Sequence, residues 1–161
     1  MVWYNDRPGC DDIQAQRVSK SGALVSNSFY IANLCPDERR FPDVAYDSTH
    51  DQYMVVWERD DDVQAKLISA TGIGVTQVFT VAEGYVGLDA ASNPHVAYSS
   101  TSDQYLVIWQ YGGLVGSKIE GQVYDYNGAD SGGVIDITLY RSYPSESPPE
   151  EPDLAYNRSR N

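Results

Sequence analysis

Positive charge is scarce in this chain. Eleven lysines and arginines stand against 23 aspartates and glutamates, a net charge of −12 over 161 residues. That field repels nucleic-acid phosphates and anionic membrane surfaces within the screening length, so neither nucleic acid nor a membrane is expected as a partner. No stretch approaches the roughly 18 to 20 consecutive apolar residues of a membrane helix. The opening Met1-Val2-Trp3-Tyr4-Asn5-Asp6 lacks the basic and apolar regions of a signal peptide. Export is then either unused or directed by a leader outside these residues. No segment carries an apolar stripe at helical spacing, which leaves strands.

Motifs for chemistry are equally thin. No Gly-x-Ser-x-Gly or other nucleophile motif occurs. Gly72-Ile73-Gly74 and Gly132-Gly133 lack the Lys-Ser/Thr of a phosphate loop and read as turns. The two cysteines, Cys10 and Cys35, each sit in a polar, loop-like context. Such exposed pairs survive best when oxidised in a secreted setting, so a disulfide is expected, with two free thiols as the alternative. Without a nearby histidine they fall short of a tetrahedral metal site. Catalytic residues, cofactors and metal sites are all expected to be absent.

What the chain does hold is internal repetition. Pro42-Asp43-Val44-Ala45-Tyr46 returns as Pro94-His95-Val96-Ala97-Tyr98 and as Pro152-Asp153-Leu154-Ala155-Tyr156, at spacings of 52 and 58 residues. Asp51-Gln52-Tyr53-Met54-Val55-Val56-Trp57 matches Asp103-Gln104-Tyr105-Leu106-Val107-Ile108-Trp109, and Met1-Val2-Trp3 aligns on the tail of that block. Ile13-Gln14-Ala15-Gln16-Arg17-Val18-Ser19 recurs from Val63 and, more loosely, from Ile119, each followed by a glycine turn at Gly22, Gly72 or Gly128. A fourth block alternates Phe29 with Ile31, Phe79 with Val81, and Ile135 with Ile137.

Four strands per unit follow, here A to D. Strand B is apolar at nearly every position. Tyr53, Val55 and Trp57 lie on one face and Met54 and Val56 on the other, so both faces should be covered by stacked sheets. The thirteen tyrosines against three phenylalanines suit half-buried sheet faces, and binding surfaces as well. Fold class is therefore all-β, in three antiparallel four-stranded units. Trp57 and Trp109 are expected to be buried, with Trp3 at the edge of an incomplete unit.

With these motifs the chain resembles the propeller-like repeats of uncharacterised secreted bacterial proteins, over essentially its whole length. The resemblance implies β-propeller blades of about fifty residues and an extracellular or cell-surface scaffold or binding role. Closed propellers generally need about four to eight blades, and here there are three. The strands run BCD, ABCD, ABCD, A, so that one blade is split between the termini. The units are 1–41 (blade 1, strands B to D), 42–93 (blade 2), 94–143 (blade 3), 144–151 (a Pro/Glu-rich linker) and 152–161 (strand A of the next or neighbouring blade).

The functional expectation rests on that split. Residues Pro152, Leu154, Ala155 and Tyr156 would fill the open edge at Val2 and Trp3 of a following molecule. The result would be a non-enzymatic extracellular structural protein that self-associates head to tail into a filament or surface assembly. The alternative is a carbohydrate- or protein-binding β-propeller module cut from a longer secreted chain, with glycans as partners suited to its tyrosines. Enzyme activity would need two suitably spaced carboxylates, which 23 acids supply by chance.

His50 and His95 are read as surface histidines at non-equivalent repeat positions, His95 replacing the aspartate found at 43 and 153. Asp11-Asp12 and Asp60-Asp61-Asp62 read as solvated hairpin tips, with a calcium loop as the alternative. Asn157-Arg158-Ser159 is a glycosylation sequon, which marks Asn157 as an acceptor.

Overall fold

The computed structural model describes residues 1–33, 35–85, 89–113, 116–138 and 151–156. Asn157 and most of the 144–151 linker lie outside these. The strands are β1 (Val2–Asn5), β2 (Asp12–Val18), β3 (Leu24–Ala32), β4 (Arg39–Asp47), β5 (Gln52–Arg59), β6 (Asp62–Ser69), β7 (Phe79–Ala82), β8 (Asp89–Ser99), β9 (Gln104–Gly113), β10 (Gly116–Asp125) and β11 (Ile135–Asp136). There is no helix among the described residues.

Within each sheet every strand pairs antiparallel with the next in sequence, giving a three-stranded sheet β1-β2-β3 and two four-stranded sheets, β4-β5-β6-β7 and β8-β9-β10-β11. The repeats reappear as register. Trp3 faces Gln14, Trp57 faces Gln64 and Trp109 faces Glu120 across the ladder. In the third sheet the indole N–H of Trp109 donates to Glu120 Oε2 at 3.2 Å; Trp57 Nε1 is buried without a partner among the described residues.

Apolar burial holds the sheets together, and it runs along the alternation of strand B. Val55 and Trp57 pack with Ile13, Ala15 and Ile31 of the first sheet. Met54 and Val56 pack with Tyr105, Val107 and Trp109 of the third. Trp57 and Trp109 are fully buried, as the alternation requires, and a large buried apolar side chain contributes about 1.5 to 3 kcal/mol.

A second device joins neighbouring sheets. The turn glycines Gly22, Gly72 and Gly128 have φ of +82°, +91° and +81°, a conformation that L side chains rarely adopt. At Gly72 the ring of Phe29 occupies the place a Cβ would take, 2.9 Å away, and Phe79 lies 3.2 Å from that place at Gly128. The outer strand of one sheet therefore seats its phenylalanine against the turn of the next.

Cys10 and Cys35 form a disulfide with Cα atoms 5.0 Å apart, tying the loop before β2 to the segment that leads into β4. The aspartates beside it depart from the expectation of solvated tips. Asp11 and Asp12 are 5% and 0% exposed. Arg7 pairs with Asp12 at 2.7 Å, and buried Arg39 donates to the Asp11 carbonyl and pairs with Asp37 at 2.7 Å. Burying a carboxylate without a partner is costly, and here the guanidinium groups of Arg7, on Asp12, and Arg40, 3.8 Å from the Asp11 carboxylate, supply the positive charge that a calcium ion would have brought.

Candidate functional site

The strand A blocks enter their sheets through a bulge. Register shifts fall between Arg40 and Asp43 in β4 and between Ser92 and His95 in β8. At the bulge Phe41 and Asn93, each just before the repeat's proline, have φ of 48° and 48°, and Glu151 before Pro152 has φ of 50°. Positive φ at three non-glycine residues is uncommon, and bulges concentrate where a side chain has to be re-aimed. The third block follows the same backbone path without joining a sheet. Asp153 Oδ1 accepts from its neighbour Leu154 N at 2.7 Å, as Asp43 Oδ1 accepts from Val44 N at 2.8 Å.

Two residues past Phe41, Asn93 and Glu151 stand Asp43, His95 and Asp153, and the fold brings them together. His95 Nδ1 lies 3.4 Å from Asp43 Oδ2 and 4.0 Å from Asp153 Oδ1. Asp43 Oδ2 also accepts from Val96 N at 2.9 Å, which locks the third sheet's inner strand to the second's. Glu58 adjoins the bulge, accepting from Asn93 N at 3.3 Å. Burial raises the Glu58 carboxyl above the ordinary range, and the hydrogen bond from Asn93 opposes this.

At the far end of the same strands lies a second cluster. Asp47, wholly buried, accepts from the Thr49 and His50 amides through Oδ1, at 2.8 and 3.0 Å, which fixes the turn between β4 and β5. Its Oδ2 is 2.9 Å from His50 Nδ1, and the same nitrogen lies 3.5 Å from Asp103 Oδ1 across the seam. The imidazole stacks on Tyr126 with centroids 4.1 Å apart. Tyr98 donates to Asp103 Oδ1 at 2.5 Å, and its oxygen accepts from the Thr49 hydroxyl at 2.7 Å. Burial pushes the Tyr98 and Tyr105 hydroxyls upward. For Asp47 burial also works upward, yet the bonds from His50, Tyr98 and Thr49 outweigh it and hold the carboxyl below its ordinary range.

Both histidines thus differ from the surface role expected of them. Each is about one-third exposed and faces two carboxylates. The assembly residues differ as well. Leu154, Ala155 and Tyr156 line a cleft of about 260 Å³ with Ala97, Tyr98 and Leu106 of their own chain, and the Tyr156 hydroxyl lies 2.7 Å from Thr101 Oγ1. Val2 packs against the core between the first and second sheets.

The geometry defines an all-β protein of propeller-like build. No protein-family model and no curated protein matches the chain. Among solved structures it is similar to "GH43 Endo-Arabinanase from Bacillus licheniformis", at 12% identity and a TM-score of 0.45, over 86% of this chain and 59% of that one. That neighbour is an enzyme, and the expectation of a non-enzymatic, strand-donating structural protein is corrected here, with its exclusion of catalysis. No matching family supports the resemblance to uncharacterised secreted bacterial proteins; the disulfide suits an oxidising, extracellular setting. No helix among the described residues is long and apolar enough to cross a membrane.

Proposed function

We propose that this chain is a carbohydrate-binding propeller module belonging to a longer secreted chain. In this reading its sheets are successive blades. The first lacks its inner strand, the next two are complete, and residues 152–156 are the inner strand of a further blade. A cleft of about 410 Å³ lies between the first and second sheets, lined in part by Val2, Phe29, Val44 and Tyr53.

The observation that carries the binding reading is the convergence of Asp43, His95 and Asp153, at one repeat position of β4, β8 and the 152–156 segment, with His95 between the carboxylates. Sugar hydroxyls both donate and accept, and a few convergent polar groups beside an aromatic surface are what fix such a ligand. Phe41, 51% exposed on its bulge two residues from Asp43, offers the ring.

The test is a glycan array on the full chain followed by calorimetric titration with the oligosaccharides it retains. His95→Gln and Asp43→Asn should each weaken binding about tenfold or more, whereas Tyr30→Ala, on exposed β3, should not. Absence of binding at millimolar oligosaccharide, or equal binding by all variants, would sink the reading. The same mixtures should be inspected for cleaved products, because two carboxylates flanking a bound sugar are the minimum for glycosidic chemistry.

A further inference from the structure

We propose that His50 Nδ1, Asp47 Oδ2 and Asp103 Oδ1 form a binding site for a divalent cation of zinc type at the seam between the second and third sheets. The three ligand atoms lie within 4.8 Å of one another. One imidazole nitrogen with two carboxylate oxygens suits zinc or manganese, whereas calcium takes oxygen ligands.

Charge gives the second reason. Buried aspartates elsewhere in this protein are answered by arginine, as Asp12 is by Arg7. The ion pairs of Asp47 and Asp103 both run to His50. A single Nδ1 holds one proton and can donate it well to only one carboxylate, so the other keeps only neutral donors: the Tyr98 hydroxyl on Asp103 Oδ1, or Gln52 and Tyr105 on Asp47 Oδ2. A divalent cation among the three atoms balances both carboxylates, and the ring proton then resides on Nε2.

The surroundings allow it. Asp47 Oδ1 is committed to the turn amides, but the other donors to Oδ2, Gln52 Nε2 and Tyr105 OH, stand at 3.2 and 3.3 Å and yield readily. Tyr126 holds the imidazole plane by stacking. Nor does the turn itself need these ligands. The corresponding turn of the third sheet has Ser99 and Ser102 where the second has Asp47 and His50, and it still forms.

The experiment is calorimetric titration of the full chain with zinc chloride, beside calcium chloride. One zinc per chain is expected, weakened at least about tenfold by His50→Ala and by Asp103→Asn. His50 and Asp103 lie in partly exposed turns, and circular dichroism of each variant checks that it folds. A zinc-dependent rise in thermal midpoint should persist in His95→Ala and disappear in His50→Ala. Unchanged uptake in both seam variants, loss only in His95→Ala, or no uptake at millimolar zinc would each overturn the proposal.

Discussion

The Tyr98 hydroxyl oxygen lies 2.7 Å from Thr49 Oγ1. Tyr156 stands 2.7 Å from Thr101 in the equivalent way. In both cases the tyrosine that closes a Pro-x-Val/Leu-Ala-Tyr block reaches back to the turn threonine of the preceding sheet. Tyr46 is the same residue one repeat earlier, and its hydroxyl instead bonds within its own turn, to Asp51 at 2.8 Å, with 47% of the side chain exposed.

The contrast yields a graded prediction. Tyr98→Phe removes the hydroxyl that bonds both Thr49 and Asp103 and should cost about 1 to 3 kcal/mol in urea denaturation. Tyr46→Phe, losing one exposed bond, should cost less than about 1 kcal/mol. Equal losses at the two sites would show that the seam contact does not stabilise the stack.

Acid should loosen the same seam. The Asp47 carboxyl is held below its ordinary range in the fold, so its contribution is fully present above the unfolded aspartate value of about 3.9 and is lost as pH falls through the lower folded value. The thermal midpoint should therefore drop below about pH 4, and Asp47→Asn should flatten that slope while lowering stability at neutral pH. A slope unchanged by Asp47→Asn would place the acid sensitivity in other carboxylates.

Turn glycines should differ in how much they tolerate a methyl group. Gly22→Ala meets only the backbone strain of positive φ, since nothing lies within 4 Å of its added Cβ, and should cost about 1 kcal/mol. Gly72→Ala adds a collision with the Phe29 ring at 2.9 Å and should cost more. The double variant Gly72→Ala/Phe29→Leu separates the collision from the strain, because only the collision is relieved.

Reduction of Cys10–Cys35 releases a loop closed over 25 residues. Chain-entropy arguments put the loss at roughly 3 kcal/mol, measurable as a lower denaturation midpoint in Cys10→Ala/Cys35→Ala. Because the loop spans the first sheet and the entry to the second, Trp3 fluorescence should change before that of Trp109, which requires single-tryptophan variants to resolve.

Much of the fold was legible because its signal is periodic. Alternation in 53–57 told which face of β5 meets each neighbour, and recurrence of the tryptophan blocks ordered the strands. The sites were less so, for reasons of distance and backbone. Asp11 reads as solvated because Arg39, which covers it, comes 28 residues later. His50 reads as a lone surface residue because Asp103 belongs to the next repeat. Phe41, Asn93 and Glu151 share a φ but no side-chain chemistry, and their one common mark in the sequence is the proline that follows each.

Each sheet is one unbroken run of chain, folded strand beside the next strand, and this bears on how the molecule is made. On the ribosome the second sheet is complete before any of the third has emerged. Its backward face, with Val55 and Trp57, can close at once on residues already synthesised. Its forward face, with Met54 and Val56, stays bare until β9 brings Tyr105 and Val107. Translation speed between residues 82 and 109 therefore governs how long an apolar face waits uncovered, and that interval is when a nascent chain most needs a chaperone.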